Sequence, residues 1–185
     1  VELDIVSGFH TDPVGLLLSH RADWAIVSEV EQNDDVLFKP LFSYEMVGIC
    51  SKDHPLANKE VWQAEDFAEE TWVTYPVPDD MLDLYRQVLK PKGINPPRRT
   101  TELTIALIQL VASRRGIATV PYWAALPYLE KGYVVARKIT EEGLYSNLYA
   151  AIRKEDANLA YIEDFHQTVK AQSFSTLPGL SVLEL

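Results

Sequence analysis

Helical and extended hydrophobic patterns alternate along this chain. Leu103, Ala106, Leu107, Leu110 and Val111 recur at the i, i+3, i+4, i+7, i+8 spacing of a helix with one buried face. Thr100 or Thr101 is placed to cap its first turn, and Arg114 and Arg115 fall where the negative end of the helix dipole favours cations. Gly116 is the expected left-handed residue that ends the helix. Ile117 to Val120 is then a short apolar run bounded by Gly116 and Pro121, as in a buried parallel strand.

The same alternation extends in both directions. Val1 to Val6 alternates apolar and acidic residues, which predicts a strand at or near an edge with one wet face, ended by Ser7 and Gly8. Asp12 before Pro13 reads as an N-cap and first helical residue of a short helix through Leu16, Leu17 and Leu18. Trp24 to Val27 returns as a buried strand, so a βαβ unit with parallel strands is expected. After a polar turn from Glu31 to Asp35, Val36 to Phe42 and Tyr44 to Cys50 form two extended runs. Glu65 to Ala68 suggests a short helix and Thr71 to Thr74 a strand. Met81, Leu84, Tyr85, Val88 and Leu89 mark the apolar face of a helix capped by Asp79 or Asp80 and broken by Pro91, Gly93 and Pro96. Tyr128 to Gly132 closes another short helix, Tyr133 to Val135 reads as a strand, and Leu148 to Ile152 as a further one. Ile162, Phe165 and Val169 mark one face of a last helix, and the signals weaken beyond Ser173.

With 185 residues, 47% of them hydrophobic, the chain can bury a sizeable core. Its formal charge is −10, from 17 Lys and Arg against 27 Asp and Glu, so the average surface repels phosphate backbones. The adjacent pairs Arg98-Arg99 and Arg114-Arg115 have no aromatic interleaving and read as a solvated face and a helix end. No apolar stretch is long enough to span a bilayer, and Val1 to Asp4 lacks the basic start of a signal peptide, so a cytoplasmic location is expected. The single cysteine, Cys50, excludes an internal disulfide and is expected as a buried thiol.

Catalytic patterns are sparse. His10, His20, His54 and His166 are scattered without chelating spacing, and no phosphate-binding loop, nucleophile elbow or dinucleotide fingerprint is present. Neither a metal, a cofactor nor an enzymatic activity is expected. His54, before Pro55 in a polar turn, reads as a local structural residue. A hydrolase built on a set such as Ser7 and His10 remains an alternative, since such sets are defined by geometry.

Three motifs carry a resemblance. Val111-Ala112 with Gly116-Ile117-Ala118 and Pro121 is one; the apolar strand from Leu41 running into Asp53-His54-Pro55-Leu56-Ala57 is the second. The third is Arg21 to Val27, where Asp23 occupies an acidic position and Arg21 and Trp24 depart from the pattern. In order and spacing, from Val1 to about Phe165, the chain resembles the effector-binding domain of LysR-type transcriptional regulators. Within that family Tyr75-Pro76, the Leu107 to Ala112 run and Leu144 to Ala151 look most like methionine-biosynthesis regulators that respond to homocysteine. The resemblance implies an α/β fold of two Rossmann-like lobes joined by two crossover strands, similar to type 2 periplasmic binding proteins. Residues 1–50 and 148–185 would form the first lobe and 51–147 the second. The family has one more strand and helix before the position of Val1.

The resemblance also implies an effector site between lobes, built from loops. Ser7, Gly8, Phe9 and His10 would contribute from the first lobe; Thr74, Tyr75, Pro76, Thr100, Thr101, Glu102, Tyr122 and Trp123 from the second. Helix N-termini and hydroxyls suit a carboxylate, Glu102 an ammonium, and the aromatic residues an apolar or thiol-bearing side chain. Each also has a structural reading: a tight turn for Ser7-Gly8, a loop residue with a satisfied ring for His10, a cap for Thr101, a dipole-complementing acid for Glu102, core packing for Tyr122 and Trp123. The implied partners are a homocysteine-like amino acid, further copies of the chain in a dimer or tetramer, and DNA only through a helix-turn-helix domain outside this chain, with no membrane. A solute-binding protein of a transport system is the competing non-enzymatic reading.

Overall fold

Asp12 and Pro13 open the first helix as their spacing predicts. The Asp12 carboxylate accepts the Gly15 N–H at 2.8 Å, and Pro13 supplies a pre-set φ at the first helical position. The computed structural model describes residues 2–6 and 12–183. Helix α1 (Pro13–Leu18) leads to β1 (Ala25–Val27) and β2 (Val36–Cys50), the latter one continuous strand of 15 residues where two runs were expected. Strands β3 (Val61–Trp62), β4 (Trp72–Thr74) and β5 (Arg98–Thr100) follow, joined by short tight helical turns. Then come α2 (Thr104–Ala112), β6 (Ile117–Pro121), α3 (Tyr122–Glu130) and β7 (Val135–Ile139). Strand β8 (Leu144–Arg153), helix α4 (Ala160–Thr176) and strand β9 (Leu180–Ser181) complete the order. The chain divides into two compact units, residues 1–43 with 147–185, and residues 44–146. β2 and β8 each run from one unit into the other.

In the first unit β1 pairs antiparallel with β8, Ile26 opposite Ala150, and Val14, Leu17, Val27, Val36 and Ala151 form the core. Arg153, 6% exposed, fixes the turn between α1 and β1. Its guanidinium donates to the Leu17 and Ala22 carbonyls at 2.8 and 2.5 Å, to Asp23 at 2.7 Å and to Asp156 at 2.5 Å. Asp23, the acidic residue of the third motif, therefore partners a buried arginine. Helix α4 lays Phe165 edge-to-face against Trp24, with ring centroids 5.1 Å apart, and buries Ile162 and His166. Burial pushes the His166 imidazole below its usual range, with Lys39 acting in the same direction.

Two expectations for this unit are corrected. Residues 2–6 form no strand, and Leu3 and Ile5 are exposed. Alternation determines which side chains are wet, but a strand needs a ladder partner, and no described strand runs beside these residues. The parallel βαβ unit is therefore absent among the described residues, and the described partner of β1 is antiparallel. At the other end of the chain, α4 continues to Thr176 and β9 pairs with β2, so the segment beyond Ser173 is more ordered than its sequence suggests.

The second unit is built on parallel strands β5, β4 and β6, with Trp72 opposite both Arg98 and Ile117. β6 and β7 pair antiparallel with β2, and β3 runs parallel to β7. One buried cluster joins Trp62, Phe67, Trp72, Leu89, Ile117 and Ile139; another joins Val47, Ile49, Leu107, Val111, Ala118 and Val120. Cys50 is buried at the end of β2, as expected, and burial pushes its thiol up to about 11. His54 is local structure, as expected: its Nδ1 accepts the Leu56 N–H at 3.2 Å and its Nε2 faces Glu70 at 3.3 Å.

The expected helix is present as continuous helical backbone from Asp83 to Lys92, wound as a π-type turn over Tyr85–Leu89 and a tighter turn over Lys90–Lys92, with a separate turn at Asp79–Met81 before it. Leu82, Leu84, Val88 and Leu89 are buried, while Met81 is 39% exposed. Neither Asp79 nor Asp80 caps a helix. Asp79 receives the Arg98 guanidinium and Asp80 the Lys90 ammonium, and these charge-assisted bonds occupy the carboxylates.

Candidate functional site

The eight described candidate residues gather at one edge, where the parallel strands of the second unit end. Thr74 is the last residue of β4 and is paired with Thr100, the last of β5. Thr101 N–H donates to the Thr74 carbonyl at 3.0 Å, which binds the two chain ends together. Tyr75 and Pro76 follow directly. β6 ends at Pro121, and Tyr122 and Trp123 open α3 at the same edge. Ser7, Gly8, Phe9 and His10 lie outside the described residues.

Helix α2 starts here, and not as its sequence predicts. Thr100 and Thr101 are held in the strand pairing, so the helix begins at Thr104, with Leu103 at its N-cap and no side-chain capping bond. Leu107 N–H makes the first intrahelical bond, to Leu103, which leaves the Thr104, Ile105 and Ala106 N–H groups at an uncapped positive end. Beside it the Tyr75 hydroxyl meets the Thr104 hydroxyl at 2.7 Å. Burial raises the Tyr75 phenol above its usual range, so it stays protonated and neutral. Glu102 is exposed.

The far end of α2 also differs from expectation. Arg114, at φ 60°, takes the left-handed position, with Arg114 N–H donating to Val111 and Arg115 N–H to Leu110. Gly116 is required for another reason. At its φ of 146°, a Cβ would lie 2.2 Å from the Thr71 carbonyl oxygen, the same oxygen that accepts Ile117 N–H at 2.9 Å.

A second cluster, invisible in the sequence, adjoins these residues. Tyr44 packs edge-to-face on Trp123, with centroids 6.3 Å apart. Ser146 Oγ donates to Asp83 at 2.6 Å, and Asp83 also holds Arg86 and Gln87 at 2.6 and 2.9 Å. Burial raises the Tyr44 phenol; a hydrogen bond with Ser146 opposes that, and the charge of Asp83 reinforces it. Tyr44, Asp83, Thr104 and Ser146 thus belong to the same neighbourhood. The Ser146 to Asp83 bond spans 63 residues, and no sequence pattern links the two. Among the described residues no group of three or more His, Cys, Asp or Glu is arranged to hold a metal ion, and no helix is long and apolar enough to cross a membrane.

Parallel strands ending at uncapped helix starts, in two α/β units linked by two through-running strands, define a type 2 periplasmic-binding-protein-like regulatory fold. The effector-binding domain of QuiR, solved with shikimate, shares that fold with a TM-score of 0.75 at 22% identity, over 92% of this chain and 80% of that one. The chain belongs to the LysR substrate binding domain family, whose model matches residues 1–173. It is 86% identical over 185 residues to the HTH-type transcriptional regulator MetR of Haemophilus influenzae, covering 100% of this chain and 60% of that protein. The regulatory domain of MetR from N. meningitidis, a LysR family regulator, matches with a TM-score of 0.90 and 67% identity over 99% of this chain and 85% of that one. The chain therefore spans about three-fifths of the length of the H. influenzae regulator.

Proposed function

We propose that this chain is the effector-sensing part of a cytoplasmic transcription regulator of methionine-biosynthesis genes, and that its effector is a small amino acid, homocysteine. The uncapped start of α2 beside the Tyr75 to Thr104 hydroxyl pair carries the reading. Free N–H groups and hydroxyls in one place suit a carboxylate. Tyr122 and Trp123 offer aromatic surface for a thiol-bearing side chain, and Glu102 an exposed acid for the ammonium. Ser7, Gly8, Phe9 and His10 are carried by the family resemblance alone. DNA contact is assigned to a helix-turn-helix domain outside this chain, consistent with the net charge of −10, and function to a dimer or tetramer in which effector binding shifts a pre-existing equilibrium.

Thermal melting with homocysteine, methionine, homoserine or buffer at matched pH and reductant tests this. Ligand at a hundred times its dissociation constant adds about 2.7 kcal/mol of stability. The expected result is a shift with homocysteine that Thr101→Ala and Glu102→Gln reduce. A well-folded protein unshifted by homocysteine would overturn the choice of effector while leaving the family membership intact.

A further inference from the structure

Trp123 has no polar tether. Its indole N–H is buried and meets no acceptor among the described residues, although a buried indole normally finds one. Packing therefore holds the ring at the second position of α3, and the aromatic ring set edge-to-face against it is Tyr44, with centroids 6.3 Å apart. Tyr44 is tethered where Trp123 is not. It is buried, its phenol is hydrogen-bonded with Ser146, and Ser146 Oγ in turn donates to Asp83 at 2.6 Å.

Asp83 is the fixed point of this series. Its carboxylate, 14% exposed, also accepts from Arg86 and Gln87 at 2.6 and 2.9 Å, so donors from two separate stretches of chain converge on it. Gln87 reaches further, to the Tyr145 carbonyl at 3.3 Å, and residues 83–87 thus grip two successive residues of β8. A carboxylate so enclosed contributes less to stability than a well-packed apolar side chain of similar volume; what it fixes is direction, because each donor is held at a set angle and distance. Trp123, Tyr44, Ser146 and Asp83 all belong to the second unit, and Trp123 is one of the residues assigned to the effector.

We propose that Asp83 is a positioning residue of the effector site: through Ser146 it holds Tyr44, and through Tyr44 it sets the place of the Trp123 ring. It acts at two removes from the ligand. Such support matters because a binding group displaced by about 1 Å loses much of its contribution. The link to the effector rests on the function proposed above, whereas the relay from Asp83 to Trp123 stands without it.

Two measurements on the 185-residue chain test it, with melting temperatures to establish that each variant is folded. The first needs no ligand. The indole N–H signal of Trp123, assigned by its loss in Trp123→Phe, is followed by proton–nitrogen NMR; Ser146→Ala and Asp83→Ala are each expected to shift or broaden it, while Trp24, in the first unit, keeps its own signal. The second is calorimetric titration with homocysteine. Asp83→Ala, Ser146→Ala and Tyr44→Phe are each expected to weaken binding about tenfold, and any two together no more than one alone, because they interrupt the same series. Asp80→Ala, at an exposed acid paired with Lys90, should leave both readouts unchanged. An unmoved Trp123 signal in folded Ser146→Ala overturns the relay. A moved signal with unchanged homocysteine affinity, or losses that add, overturns the positioning role. A folded chain that binds no homocysteine overturns the effector reading instead, and the Trp123 signal then still decides the relay.

Discussion

The two ends of the parallel strands in the second unit are built from opposite materials. At the N-terminal end the backbone is sealed: Trp72 N–H donates to Pro97 at 2.8 Å and Ile117 N–H to Thr71 at 2.9 Å, with Gly116 leaving no space for a side chain. The Arg98 guanidinium closes this end, 5.1 Å from the Trp72 ring centroid, 4.9 Å from that of Tyr85 and ion-paired to Asp79. At the C-terminal end the Tyr75 and Thr104 hydroxyls face one another, and a helix starts without a cap. One end is saturated by its own chain; the other keeps donors free. Binding capacity in this sheet is therefore local, set by which edge leaves its polar groups unanswered.

Substitutions at the two ends should therefore separate stability from binding. The largest expected effect is at the sealed end. Gly116→Ala forces a Cβ against Thr71 at a φ that side chains rarely adopt, and should lower unfolding free energy by about 3 kcal/mol or more. Urea denaturation checks this; a loss under half that size would show that β4 and β6 can separate. Arg98→Gln keeps part of the side-chain volume but removes the cation from between two rings and from Asp79. With the Arg98 side chain a quarter exposed, a loss of about 1 kcal/mol is expected, and it should shrink as salt rises. At the open end Tyr75→Phe removes the hydroxyl facing Thr104, and about 1 kcal/mol or less is expected. The effector-induced melting shift should fall by a larger fraction than the stability does. Equal fractional losses would make Tyr75 a packing residue alone.

Much of the second unit was legible because its elements are consistent at every level. The α2 to β6 segment pairs a helical apolar period with a short buried run, and Leu107, Val111, Ile117 and Val120 are buried accordingly. What escaped was competition between neighbours. Thr100 and Thr101 are good capping residues, yet pairing with Thr74 holds them in the sheet. Asp79 and Asp80 are equally good caps, yet Arg98 and Lys90 occupy them. Arg114 takes a left-handed conformation because Gly116, the obvious candidate, is needed two residues later, where the backbone approaches Thr71. In the first unit the alternation from Val1 to Val6 carried no information about a ladder partner, and residues 2–6 have none among the described strands.

Eight of the twelve residues expected at the site stand together at one edge, since strand ends and helix starts follow from element order. Tyr44, Asp83 and Ser146 were missed. Tyr44 sits in a strand whose period says nothing of Trp123, and Ser146 reaches Asp83 through a contact between segments with no shared pattern.

Cys50 has a practical consequence for anyone working with this chain. A lone thiol that is buried and ionises only near pH 11 is almost wholly in its unreactive form at neutral pH. A cysteine introduced at an exposed position would then be the one rapid target for a maleimide dye or spin label. Spectroscopic reporters can thus be attached site by site with the native residue left in place.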